Sequence, residues 1–272
     1  YAARRVMMID VPFVKAHGLG NDYLIVESAV VPGGAADLAR AMCDRTTGIG
    51  GDGLILLSSG DTAGARFRIF NADGSEAELC GNGLRCAAVF LTGCSEGSTT
   101  VESAVGHHGA DVTRGPRGEW QVAMDLVAAQ VEQDVSMVVD DANYTLRVVR
   151  VGNPHAVLLV EAPPAEGLLG QLAAACEGHE RFVDGVNVHI AWPRGNAGLS
   201  MVSWERGVGP VQACATGAAA AVAAIGTAQR CDVGMPGGSL AIEAPAGDTA
   251  IRMCGPAVII CEGVYHYIGE QP

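Results

Sequence analysis

Lysine is nearly absent from this sequence: Lys15 is the only one among 17 basic residues, and no basic run occurs anywhere. Against 30 acidic residues this leaves a net charge of −13, which repels phosphate backbones and excludes a nucleic-acid partner. Long apolar runs are also missing. The longest, GAAAAVAAIGTA over 217–228, is too short and too rich in alanine to span a bilayer, so no membrane partner is expected. The opening YAARRVMMIDVPF has two arginines but no apolar stretch behind them, which predicts no signal peptide, a natural start at Met7 or Met8 and a cytoplasmic protein. No CxxC pair occurs and no cysteine–histidine group has zinc-ligand spacing, so no metal is expected. A Schiff-base lysine is the requirement of pyridoxal-phosphate racemases. Lys15 has no glycine loop for a phosphate near it, so any stereochemical chemistry here would run without that cofactor.

What the chain has instead is cysteine, glycine and alanine. Its nine cysteines are odd in number and irregular in spacing, which argues against a disulfide framework and makes most of them small core residues, Cys86 and Cys94 among them. Two stand out. Cys80 in ELCGNGLRCAAV and Cys214 in QACATGAAAAV each precede a small turn that opens an alanine-rich helix. They lie 134 positions apart, with glycine three residues later (Gly83, Gly217), alanine seven later (Ala87, Ala221) and an aromatic ten earlier (Phe70, Trp204). A second anchor, GNDYLIV at 20–26 against GNPHAVLLV at 152–160, repeats at 132 positions. Two anchors at nearly one offset predict a duplicated chain.

Each half offers six short strand signals and two helices, at 35–44 and 83–93 and at about 166–177 and 214–229. The class is therefore α/β (α+β): two pseudo-symmetric domains of mostly antiparallel strands around a central helix, with the active site in the cleft between them. The expected halves are 7–128 with 260–272, since the terminal AVIICEGVYHYI reads as a returning strand, and 129–259. GIGGDG at 48–53 lacks a following Lys-Ser/Thr and reads as a turn rather than a phosphate loop. PGG at 236–238 reads as a hairpin turn, and His107–His108 as an exposed turn.

A helix start leaves N–H groups without partners and carries partial positive charge, so a cysteine there is favoured as thiolate beside a ready carboxylate cradle. Alone, such a cysteine is more often a packed small residue. Here the same placement occurs in both repeats. Two thiols of matched acidity on opposite faces of one carbon can remove a proton from one side and return it to the other, inverting a stereocentre. Sulfurs each roughly 3–3.5 Å from that carbon would stand about 6–7 Å apart, so an empty site could oxidise to a Cys80–Cys214 disulfide and activity would depend on reductant.

These residues resemble the diaminopimelate epimerase family, the cofactor-independent amino-acid epimerases. The resemblance is carried by HGLGNDYLIV (17–26), GIGGDGLILL (48–57), FNADGSEAELCGNGLRCAA (70–88), GNPHAV (152–157), RFVDGVNV (181–188) and WERGVGPVQACATGAAAA (204–221). It implies Cys80 and Cys214 as the acid–base pair. It also implies Asn21, Asn71, Asn153, Asn187 and Arg206 around the distal end of the substrate, with Glu205 on its ammonium. Gly81, Asn82, Ala215 and Thr216 would hold the reacting carboxylate, and His155 would stand beside the site. The chain departs from the family at Ala215, where glycine is usual, and at Gly53 and Trp204. The implied reaction converts LL- to meso-diaminopimelate, for lysine and peptidoglycan precursors, with no cofactor and an amino acid as partner; a homodimer stays open. Two other readings remain at this point. One is a racemase of another amino acid, against which Arg206 argues by favouring a distal carboxylate. The other is a thiol redox or small-molecule-binding protein.

Overall fold

The computed structural model describes residues 6–27, 34–60, 64–195, 198–227, 230–245, 247 and 249–270. Its contacts divide the chain into two compact units, Tyr1–Val122 with Pro256–Pro272, and Ala123–Gly255.

The first unit runs β1 (Val6–Gly18), β2 (Asn21–Glu27), α1 (Ala35–Cys43), β3 (Gly53–Ser59), β4 (Ala65–Asn71), β5 (Glu76–Ala77), α2 (Gly81–Leu91), β6 (Gly97–Ser103), β7 (Gly106–Arg114) and into β8 (Trp120–Asp125). The second runs β9 (Gln130–Val131), β10 (Val135–Val139), β11 (Ala142–Val151), β12 (Asn153–Leu159), α3 (Leu168–Glu177), β13 (Asn187–Arg194), β14 (Gly198–Glu205), β15 (Gly209–Val211), α4 (Ala215–Ile225), β16 (Cys231–Met235), β17 (Gly238–Glu243) and into β18 (Arg252–Glu270). The latter part of β18 belongs to the first unit, where it pairs antiparallel with β1 from Met8↔Ile268 to His17↔Val258.

The duplication is legible strand by strand. In the first unit β2 and β3 pair parallel, β3 and β4 antiparallel, and β4 and β6 parallel; in the second, β12–β13, β13–β14 and β14–β16 repeat that sequence of directions. Each parallel β2–β3 or β12–β13 step encloses a crossover helix, α1 or α3, because parallel neighbours need a long connection. Most remaining pairs are antiparallel hairpins. One is the β16–β17 turn, where Met235 faces Gly238 across the expected Pro236–Gly237 corner.

Two kinds of helix result. α1 is amphipathic and buries Leu38, Ala39, Met42 and Cys43 on Leu24, Leu54 and Phe70 of the sheet. α3 does the same with Leu168, Leu172, Ala173 and Cys176 over Leu146, Leu158 and Ile190. Each such leucine contributes about 1.5–3 kcal/mol by burial. α2 and α4 are different: nearly every residue from Gly81 to Val89 and from Ala215 to Val222 is buried. A helix enclosed on all sides needs small side chains so that strands can approach it, which explains the glycine and alanine content.

Three local expectations change. α4 ends at Ile225 rather than running on to 229, because Gly226 adopts φ +70° and turns the chain. His107 and His108 lie on β7, and His108 is fully buried with a ring nitrogen 2.8 Å from Ser103 Oγ; the alternation of the strand, not a turn, sets their exposure. Cys94 is exposed, not packed, since it follows α2 at φ +54°.

Candidate functional site in two half-sites

The first unit builds one half-site at the start of α2. Cys80 is the helix N-cap in extended conformation (φ −139°, ψ 106°), and its Sγ accepts from the Gly83 N–H at 3.4 Å. Tyr23 places its hydroxyl 3.0 Å from the same sulfur. Cys80 is half-buried, so a ligand can reach it.

The turn before Asn21 needs Gly20 at φ +87°, as the turn before Asn153 needs Gly152 at φ +66°. Asn82 Nδ2 donates to Asn21 Oδ1 at 2.8 Å, and Asn82 Oδ1 accepts from Arg85 Nη2 at 2.8 Å. Arg85 is fully buried; it also donates to the carbonyls of Gly81 (3.2 Å) and Pro256 (3.1 Å). Its role is thus to fix which way the Asn82 amide faces. Asn21 donates in turn to Asp52 at 2.8 Å. Asn71 closes the tight turn after β4, donating to Ser75 Oγ at 2.9 Å.

Lys15 is tied up nearby, bonded to the Gly50 carbonyl (2.8 Å) and the Asp22 carboxylate (3.0 Å). Arg45 bridges Asp22 and Asp52 at 2.7 Å each. Burial pushes the Asp22 pKa up, but hydrogen bonds from Arg45 and Lys15 outweigh it and hold the carboxyl below the usual 3.8.

The second unit builds the other half-site at the start of α4. Cys214 is the N-cap with nearly the same backbone (φ −124°, ψ 108°) but is buried. Burial, then the facing Glu205 carboxylate, which accepts a hydrogen bond from the thiol, push its pKa well up, so Cys214 is held as a thiol. The Thr216 hydroxyl lies 3.7 Å from the sulfur. Ala215 is the first helical residue and does not require φ > 0, so alanine fits where the family usually has glycine.

Asn187 opens β13 and accepts from the Arg206 N–H at 2.9 Å, while Arg206 Nη1 donates to the Asp184 carbonyl at 2.6 Å. Gly185, at φ +77°, is required there because a Cβ would fall 2.5 Å from Arg206 Cδ. Asn153 opens β12, opposite Val151.

Behind Cys214 lies a buried polar chain. His155 Nδ1 is 2.9 Å from His189 Nε2, and His189 Nδ1 is 2.9 Å from Ser203 Oγ. One ring nitrogen of each histidine lies within 4.8 Å of the Cys214 sulfur. The three side chains could ligate a soft metal, but both His189 nitrogens are already hydrogen-bonded, and coordination would have to break a buried bond. Burial lowers both histidines, His155 well below the ordinary value and His189 to about 3, so both are neutral.

Residue pairing within each repeat thus brings Asn21, Cys80, Gly81 and Asn82 together, and separately Asn187 with Arg206 and Cys214 with Glu205 and Thr216. The sequence reading missed Tyr23, Arg85, His189 and Ser203. A signal for Tyr23 was present: in GNDY against GNPH it occupies the position of His155.

The sequence matches the diaminopimelate epimerase family twice, over residues 13–125 and 147–260. The chain belongs to the diaminopimelate epimerase family. It is 35% identical over 280 residues to a diaminopimelate epimerase of Methanothermobacter thermautotrophicus, covering 93% of this chain and 97% of that protein. It is 39% identical over 263 residues to one from Sphingopyxis alaskensis, with coverage of 92% and 96%. Among solved structures, a hydroxyproline epimerase from Agrobacterium vitis superposes with a TM-score of 0.73 at 16% identity, covering 98% of this chain and 93% of that one. A PhzF-family phenazine biosynthesis protein from Bacillus anthracis gives 0.69 at 16%, covering 95% and 99%. At such low identity these two share the fold alone. The family's chemistry is isomerisation, and the two matched segments correspond to the two repeats seen strand by strand.

Proposed function

We propose that this protein is a cytoplasmic, PLP-independent epimerase that interconverts LL- and meso-diaminopimelate, with Cys80 and Cys214 acting on the two faces of one α-carbon. The observation that carries the reading is the twin N-cap: in a chain of this family, each repeat presents a thiol in the same extended conformation at the start of a buried helix. The helix-start backbone at Gly81 and Asn82, and at Ala215 and Thr216, where the dipole is positive, suits the α-carboxylate. Asn21, Asn71, Asn153, Asn187 and Arg206 suit the distal amino-acid end.

The two sulfurs take different roles. Cys214, buried against Glu205, is the acid of the resting protein. Cys80, facing the Tyr23 hydroxyl and the Gly83 N–H, is the base. One proton leaves the α-carbon for Cys80 and another arrives from Cys214, so charge is conserved and the stereocentre inverts. Glu205, which the resemblance assigns to the distal ammonium, is read here as the partner of the Cys214 thiol.

The test is exchange of the α-proton in D₂O, followed by NMR with LL-diaminopimelate and a panel of free L-amino acids. Deuterium should enter diaminopimelate alone. Cys80→Ala and Cys214→Ala should each lower kcat by about 10³-fold or more. Epimerisation retained by either variant would overturn the mechanism, and faster exchange on another amino acid would overturn the substrate.

A further inference from the structure

The polar chain behind Cys214 has no counterpart in the first repeat, although the strand registers match. In the second unit His189 on β13 faces Ser203 on β14; at the same register in the first unit Ile55 faces Ile69. Gly217 of α4 lies on the His189 ring, as Gly83 of α2 lies on Ile55 and Ile69. A core position that an isoleucine pair fills in one repeat is thus given to a histidine and a serine in the other. Burying polar groups costs free energy unless each finds a partner, so the replacement calls for an explanation.

The direction of the chain can be worked out from its far end. Ser203 is buried, and its Oγ meets only His189 Nδ1 among the described residues. A buried hydroxyl proton left without an acceptor is costly, so the serine donates to His189 Nδ1. His189 must then carry its own proton on Nε2 and donate it to His155 Nδ1. His155 in turn must carry its proton on Nε2. That nitrogen is buried and has no partner among the described residues. An unsatisfied N–H at the end of a directed chain, on a ring that has one nitrogen within 4.8 Å of the Cys214 sulfur, is a donor for which the described residues supply no acceptor.

We infer that Ser203 and His189 are positioning residues that lock His155 as its Nε2–H tautomer, making it a buried, uncharged hydrogen-bond donor for an acceptor atom of the bound amino acid. The choice of tautomer by the bond at the other ring nitrogen is a general property of imidazole, and a wrong tautomer can disable a site whose geometry is intact. Burial, with Arg150 and Arg206 as the nearby charges, keeps His155 from protonating, so it donates without adding charge. The inference rests on the epimerase reading for its acceptor but not for its tautomer.

The experiment uses protein labelled with ¹⁵N-histidine, with long-range ¹H–¹⁵N spectra at pH 8 and His155→Gln to assign the ring. Wild-type His155 should show a protonated Nε2 and a bare Nδ1. Ser203→Ala should shift both rings toward a mixture of tautomers and lower kcat about tenfold with KM within about twofold. Ser203→Thr, which keeps the hydroxyl, should restore both; His189→Gln serves as the second lesion if Ser203→Ala folds poorly. A wild-type His155 protonated on Nδ1, or a folded Ser203→Ala protein with unchanged spectra or unchanged kcat, overturns the inference. Absence of any α-proton exchange in the wild type, with the Nε2–H tautomer present, would instead overturn the functional reading and leave the tautomer assignment standing.

Discussion

At the scale of single residues, the two catalytic candidates differ more than their sequence contexts suggest. ELCGNG and QACATG look alike, and their backbones are alike, but one sulfur is half-exposed beside a tyrosine and the other is buried beside a carboxylate. Because burial and Glu205 hold Cys214 as a thiol, and only thiolates alkylate rapidly, iodoacetamide at pH 7.5 should modify Cys80 at least about tenfold faster than Cys214. Peptide mass spectrometry reads this directly; the exposed Cys94 and Cys261 should also react, without loss of activity. The same logic gives the acid side of the profile. Asp22 has its pKa held down, so its contribution to stability is present above 3.8 and lost as pH falls through its lowered folded value. Asp22→Asn should therefore lower the melting temperature at pH 7, with the gap to wild type closing as pH drops below 4 in thermal melts. Neither Glu205 against Cys214 nor the His155–His189 contact could be read from spacing, because both arise from strand register.

At the scale of elements, the central helices explain why glycine recurs at the same place in both repeats. An alanine at either position would gain about 1 kcal/mol of helix propensity, so its net effect is decided by contact. At Gly217 a Cβ would fall 2.3 Å from the His189 ring, whose rigid plane has no room to move; at Gly83 the nearest atoms are flexible isoleucine methyls at 3.2 Å. Gly217→Ala should cost about 1–3 kcal/mol in urea unfolding, as overpacking does, and reduce kcat by displacing His189. Gly83→Ala should change stability by less than about 1 kcal/mol. The helices and most strands were legible beforehand, since alternation and alanine-rich runs report local burial. His107–His108 and Cys94 were misjudged because a short polar motif does not say which face of a strand, or which side of a helix end, it will occupy.

At the scale of the whole molecule, the second unit is one continuous segment with its own core, whereas the first is assembled from both ends of the chain. Residues 123–255 expressed alone should fold, by circular dichroism and amide dispersion, yet show no α-proton exchange on diaminopimelate. Exchange by that fragment would remove the need for Cys80. The sequence by itself determined the duplication, with its Gly-Asn anchors at Asn21 and Asn153, and the two cysteines at helix starts, because repeats and caps are properties of neighbouring residues. Only the tertiary structure decided the burial of Cys214 against Glu205, the buried Arg85 that orients Asn82, and the Ser203–His189–His155 chain. These depend on desolvation and on which side chains meet across paired strands, and residues far apart in the chain set both.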